Sequence, residues 1–392
     1  MRGPGGRPLV PLRHGADHFG RYTSRMRRVP GSRISRRPSC HTRHMRVVVG
    51  WLLVLLLGTA AVLTLNPEWL ARLNPDWAGL TTTYPISQVV ALRPLLAAVF
   101  AVLALVVLAV GVFRRTRMRR GIKTLTLGLV LLAVAIGHAW VVWDRGMDNP
   151  GGLSADDGVR PAGAGTGAIT VLTYNTLDGR TTAEDVADLA GQNGADIIAL
   201  PETSLATAEE VAALMLAEGA PFQVFVDVKG EPAIGSTALL VASTLGEYVQ
   251  TSAPETSFGA VRAEPASGVG PPVVAVHVSP PISRLTAQWQ ADLEAVTALC
   301  RGRDAAGLVV AGDLNATLDH RPLQDLGGCA DAALAGGVGG VSTWPVRTPA
   351  WLGSAIDHVL VDTGRYRVTE AAVVQRGESD HRGVVARLLP GE

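Results

Sequence analysis

Apolar and polar positions are spread unevenly along the 392 residues. Three stretches, Val47–Leu65, Pro94–Phe113 and Thr124–Trp143, are almost continuously apolar and contain no charged residue. About twenty helical residues cross the hydrocarbon core of a bilayer, and a buried helix of a water-soluble domain would keep a polar face. The pattern therefore predicts three transmembrane helices, at 47–65, 94–113 and 124–143, within residues 46–146. Residues 1–45 carry Arg, Pro, Gly and Ser without apolar periodicity and are expected to form a disordered basic arm. Met45 stands directly before the first span, so starts at Met1 and at Met45 both fit the pattern.

After the third span the pattern changes. Residues 147–167, which include "DNPGGLSADDGVRPAGAGTG", have no periodicity and read as a flexible linker. From 168 to 390, short apolar runs alternate with amphipathic ones. Strands are expected at Ala168–Asn175, Ala195–Glu202, Phe222–Val228, Thr237–Ala242, Val273–His277, Leu308–Ala311, Ile356–Val361 and Val384–Leu388. Helices are expected from Thr182, as N-cap, to about Gln192, over Ala206–Ala217, and from about Ser283 to Cys300. Strands outnumber helices, and the helices interrupt rather than alternate strictly. That order favours two packed sheets flanked by helices over a doubly wound parallel sheet.

Charge gives the membrane region a direction. The total of 35 Lys/Arg and 34 Asp/Glu hides two opposite halves. From Asp148 onward there are 14 Lys/Arg against 30 Asp/Glu, and before it 21 against 4. The arm ending in Arg43 and Arg46 and the loop Arg114–Lys123 are basic, whereas the segment between the first two spans holds only Arg72 and Arg93. The positive-inside rule then puts the N-terminus and the Arg114–Lys123 loop in the cytoplasm and the C-terminal domain outside it. Trp51, Trp69, Trp77 and Trp143 lie near span ends, where indole rings favour the headgroup zone. The duplicated Asn66-Pro67-Glu68-Trp69 and Asn74-Pro75-Asp76-Trp77 read as an interfacial anchor. His138 reads as a helix-packing residue, since its span carries no carboxylate.

The acidic domain contains a single lysine, Lys229, and no cationic run, which disfavours tight nucleic-acid binding through phosphate neutralisation. Cys300 and Cys329 would be free to pair outside the cytoplasm or to stay as two thiols; spacing alone decides neither. No Cys/His set suggests zinc.

Polar residues recur at the ends of the apolar strands: Asn175, Glu202, His277, Asp313 with Asn315, Asp357, and Asp380 with His381. Carboxylates and amides without thiols suit a hard cation such as Mg²⁺ or Mn²⁺ together with a phosphate, and histidine can stabilise developing negative charge. The motifs "LTYNT", "DIIALPET", "VVAVHVSPP", "VVAGDLNAT", "TWP", "AIDHVLVD" and "ESDHRGV", in this order from Ile169 to Leu388, resemble the endonuclease/exonuclease/phosphatase superfamily of deoxyribonuclease I-like phosphoesterases.

The strand pattern and this resemblance together imply an α+β fold, a four-layer αββα sandwich of two mixed sheets, behind three transmembrane helices. The resemblance implies Glu202 as principal metal ligand, with Asn175 and Asp380 supporting the metal. It implies Asp313 orienting or deprotonating the attacking water, and Asn315 holding the phosphate and that water. His381, oriented by Asp357, would stabilise the transition state, and His277 would contact the phosphate from the other side. The chain departs from the pattern at Ile234–Ser243, which has no acidic residue where some family nucleases pair one with the first histidine; this leaves the orientation of His277 open.

His358 faces away from Asp357 on its strand and reads as structural, Trp344 as packing at the site edge, and Glu231, Asp319, His320 and Asp331 as surface or turn residues. The expected function is hydrolysis of a phosphodiester or phosphomonoester in a lipid head group, a nucleotide or a nucleic acid, beside a lipid bilayer. No protein partner is evident. Two rival expectations are a catalytically silent ligand-binding domain on the same anchor, and a transport or signalling protein in which the three spans carry the function, which spans few in number and without internal charge disfavour.

Overall fold

The computed structural model describes residues 40–154, 167–228, 233–302 and 305–391. Most of the basic arm, residues 155–166 of the expected linker, Lys229 and Glu231 lie outside the described residues. The chain divides into two compact units, Met1–Val48 and Val49–Glu392. The described part of the first is helical, and the second holds every strand described.

Three helices are long and apolar enough to cross a membrane: α1 (Cys40–Leu63), α3 (Arg93–Met118) and α4 (Ile122–Asp144). They overlap the expected spans: α3 and α4 run beyond them at both ends, while α1 starts earlier and stops at Leu63, short of the expected Leu65. Helix α1 begins inside the expected disordered arm, and α3 continues past Phe113 through Arg114, Arg115 and Arg117, because arginine is a good helix former and needs no apolar surroundings. Between α1 and α3 the two Asn-Pro-acidic-Trp repeats form 3-10 turns, each capped by its asparagine. Glu68 organises this segment by accepting from Gly79 N, Thr81 N and Thr81 Oγ1. A short helix, α2 (Ile86–Ala91), follows.

The remainder is the expected α+β sandwich. Its first sheet takes in strands β1 (Ile169–Thr173), β2 (Ile197–Pro201), β3 (Phe222–Asp227), β4 (Thr237–Ala242), β11 (Tyr366–Val374) and β12 (Gly383–Pro390), in the order β11-β12-β1-β2-β4-β3. The second takes in β5 (Tyr248–Thr251), β6 (Ala260–Pro265), β7 (Val273–His277), β8 (Val309–Asp313), β9 (Cys329–Asp331) and β10 (Asp357–Asp362), in the order β5-β6-β7-β8-β10-β9. Each sheet has one parallel pair, β1–β2 and β7–β8, and is otherwise antiparallel. Strands β5, β6, β9 and β11 were not expected from the sequence. In β11, Arg367 and Glu370 interrupt the apolar run, and its burial alternates before becoming continuous.

Val171, Ile197, Leu239, Val273, Val309, Val359 and Val384 form the core between the sheets. Helices α5 (Ala183–Asn193) and α6 (Leu205–Ala217) cover the outer face of the first sheet, and α7 (Thr286–Arg301) that of the second. A fully buried valine or leucine contributes about 1.5–3 kcal/mol each, so these four layers hold the strand ends rigidly. Thr182 caps α5 by accepting from Asp185 N, as expected. Cys300 at the end of α7 and Cys329 on β9 are joined by a disulfide, which settles the pairing the sequence left open.

The domain does not hang free of the apolar helices. The part of the expected linker before residue 155 is fixed to it: Asn149 exchanges two hydrogen bonds with the backbone of Val373, and Leu153 N donates to Asn193. Gly146, at φ +89°, lies so close to Gly337 that a Cβ there would meet its carbonyl oxygen at 1.8 Å. Three residues expected in surface or turn positions are buried. Asp319 accepts from Arg93 and Arg145. His320, directly before the short helix α8 (Arg321–Gln324), reaches Ser87 O. Asp331 caps helix α9 (Ala332–Ala335) while bonding His358. Apart from the local cap, the partners Arg93, Arg145, Ser87 and His358 lie far away in sequence, so local pattern carries no sign of them. His138 is buried against Phe100, as a packing residue should be, and also bonds Thr64 and Arg93.

Candidate active site

Strand register assembles one half of the site. His277 pairs with Asp313 across the parallel β7–β8, and Asp357 pairs with Asp313 across the antiparallel β8–β10, so the three lie abreast at one sheet end. Glycine is required beside them. Gly312 has φ +156°, and a Cβ there would meet Val276 O at 1.9 Å. The first sheet supplies the other half from the same end of the sandwich. Asn175 and Glu202 follow β1 and β2, and Asp380 and His381 precede β12, which runs antiparallel to β1. Glu202 (φ +57°) and Asn315 (φ +46°) adopt left-handed backbone, a strained conformation that clusters where function needs it.

All eight residues singled out from the sequence meet in one network. Asn175 Nδ2 donates to Glu202 Oε1 (3.1 Å) and Asp313 Oδ2 (3.2 Å). His277 Nε2 lies 3.9 Å from Glu202 Oε1 and 3.7 Å from Asp313 Oδ2. His381 Nε2 is 3.8 Å from Asp313 Oδ2 and 4.0 Å from Asp380 Oδ1, while its Nδ1 is 2.9 Å from Asp357 Oδ2. Asn315 donates its backbone N–H to Asp313 Oδ1 (2.7 Å) and its amide to Val278 O (2.9 Å). His358 points the other way, between Asp331 and Ala316 O.

Bracing residues come from the same motifs: Ser379 from "ESDHRGV", Thr343 and Trp344 from "TWP". Ser379 Oγ donates to Asn175 O and accepts from His381 N, tying the segment after β1 to the one before β12. Thr343 Oγ1 accepts from Ile356 N and Asp357 N. Trp344, at the site edge, donates Nε1 to Asp380 Oδ2 (3.0 Å). His277 Nδ1 is buried without a hydrogen-bond partner among the described residues, in keeping with the missing acid at Ile234–Ser243, and Phe258 stacks on its ring.

The electrostatics separate the two histidines. Burial, then the charge of His381, lowers His277 to about 4 and keeps it neutral. Burial also opposes the charged form of His381, but the carboxylates of Asp357 and Asp313 outweigh it and push that ring up to about 10. Burial, then the neighbouring Asp357, raises Asp313 to about 7, and burial raises Glu202. Crowded carboxylates of this kind are relieved by a cation.

A divalent ion fits the donor set. Glu202 Oε2 and Asp380 Oδ1 are buried oxygens without hydrogen-bond partners among the described residues. The tightest ligand-forming cluster, Asp313, Asp357 and His381, differs from the expected Asn175, Glu202 and Asp380 and could also hold a metal. Within it, however, Asp357 and His381 already bond each other.

Among solved structures, the human nocturnin catalytic domain with bound sulfate is similar at 15% identity, covering 57% of this chain and 94% of its own, with a TM-score of 0.42. An AP endonuclease from Archaeoglobus fulgidus is similar at 18% identity, covering 56% and 98%, with a TM-score of 0.43. Truncated Caenorhabditis elegans TDP2 is similar at 16% identity, covering 57% and 98%, with a TM-score of 0.43. No curated protein matches the sequence. The profile of the endonuclease/exonuclease/phosphatase family matches residues 172–381, more than half of the chain and every residue of the network above, so the chain belongs to that family.

Proposed function

We propose that this protein is a membrane-anchored, divalent-metal-dependent phosphoesterase whose catalytic domain lies outside the cytoplasm. The observation that carries the reading is the convergence of Glu202, Asp313 and His381, with their partners, at one end of the sandwich. Glu202, supported by Asn175 and Asp380, would hold Mg²⁺ or Mn²⁺. When bound, that ion supplies charge neutralisation at the phosphoryl oxygens.

The protein's own groups do the rest. Asp313, its carboxyl raised by burial and by the neighbouring Asp357, lies where it can accept a proton from the attacking water. Asn315, braced on Val278 O, holds Asp313 in place and positions that water and the phosphate. Asp357 fixes the His381 ring through Nδ1, which leaves a protonated Nε2 facing Asp313 to stabilise charge developing on the phosphoryl group. Neutral His277 contacts the phosphate from the opposite side.

The full-length protein in detergent micelles should hydrolyse bis-p-nitrophenyl phosphate, stop when treated with EDTA, and recover on addition of Mg²⁺ or Mn²⁺. Glu202→Ala should weaken the apparent metal affinity by about 10–100-fold or more. Full activity in EDTA would refute the metal's part in the reading.

The location rests on the basic Arg114–Lys123 loop and on the disulfide Cys300–Cys329, a bond that persists in oxidising compartments. Alkaline phosphatase fused after Glu392 should be active, because that reporter folds only outside the cytoplasm. An inactive fusion beside an active cytoplasmic reporter at the same position would reverse the topology.

A further inference from the structure

We infer that the phosphoester acted on is the head group of a bilayer lipid, and that one acyl chain of that lipid lies in the groove between α3 and α4. The inference rests on the phosphoesterase reading above and names its substrate class. Both loops that edge the site rest on the chain between the spans. Gln88 on α2 donates to Pro281 O, in the loop whose Val278 O anchors Asn315. Ala91 O, at the end of α2, accepts from Ser354 Oγ in the other loop.

That second loop links the site to the membrane region. It starts at Trp344, which bonds Asp380, and closes on itself where Trp344 and Ser354 pair through their backbones. At its far end Trp351 joins Pro94, Ala98, Ala101, Leu132 and Ala139 in lining a groove of about 420 Å³ between α3 and α4. The groove runs between two helices apolar enough to span a membrane, so the material that fills it is lipid.

The rim of the site suits the same surface. Ile282, Trp344 and Trp351 are 40%, 38% and 59% exposed on the two loops. Exposed aromatic residues of this kind favour the headgroup zone. Each loop also carries one exposed cation, Arg284 and Arg347, enough for a single phosphate and too few for a polyanion. In the reaction, water oxygen forms a new bond to phosphorus, one ester P–O bond breaks, and the leaving alcohol takes a proton.

The test uses the full-length protein with Mn²⁺ and three substrates: dioleoyl phosphatidylglycerol in mixed micelles, its water-soluble dibutyryl analogue, and bis-p-nitrophenyl phosphate. The long-chain lipid should be hydrolysed at least about tenfold more efficiently than the dibutyryl analogue, because the chain adds apolar burial. Ala101→Trp and Ala139→Trp, which fill the groove, should lower the ratio of long-chain to bis-p-nitrophenyl phosphate rates by about tenfold or more. If bis-p-nitrophenyl phosphate is cleaved but the long-chain lipid is not favoured, or the groove variants leave the ratio unchanged, the lipid assignment is wrong and the phosphoesterase reading stands. If no substrate is cleaved with metal, both are wrong.

Discussion

His381→Ala is expected to lower kcat toward bis-p-nitrophenyl phosphate by about 10²–10⁴-fold, the range for losing a positioned proton-bearing group that acts in the transition state. The ring is buried, fixed by Asp357, and held protonated to about 10 by the carboxylates around it. Asp357→Asn is the informative companion. Burial already opposes the imidazolium, so loss of the carboxylate that outweighs burial should lower the His381 pKa. The alkaline limb of the pH–rate profile should then move to lower pH. A His381→Ala protein with wild-type kcat would end the assigned role.

The second large effect concerns the union of the sandwich with the apolar helices. Asp319, 226 residues from Arg93 in sequence, lies between the guanidinium groups of Arg93 and Arg145. The three side chains are 5%, 8% and 18% exposed. Asp319→Ala would leave two cations facing each other away from water. Removing one partner of a buried pair costs about 3–5 kcal/mol, so the melting temperature of the detergent-solubilised protein should fall by several degrees. An unchanged melting temperature would show that the pair holds nothing together.

The same group makes a pH prediction. Burial alone would raise the Asp319 pKa, but Arg145 and Arg93 outweigh burial and bring it down from 3.8 to about 2. A depressed carboxylate contributes stability that is present in full above its unfolded value and lost as pH falls through its folded one. This contribution should therefore disappear between about pH 4 and pH 2 in the wild type and be missing from Asp319→Ala throughout.

The three long apolar helices, most interior strands and the residues of the site were legible in the chain because each leaves a one-dimensional trace. Val47–Leu65 is too apolar for water, Val273–His277 too continuously apolar for a surface strand, and Asn175, Glu202, Asp313 and His381 stand in motifs of recognisable order. Edge strands such as β11 were not, since their charged positions blur the period. Nor could any local pattern reveal that Asp319 sits on two arginines at the ends of α3 and α4, that Cys300 joins Cys329, or that Trp351 reaches the α3–α4 groove. Hydropathy and periodicity describe what each segment must do with water. Which distant segments satisfy one another's charges and cavities is decided only when the layers pack, and here that packing ties the sandwich to the ends of the apolar helices.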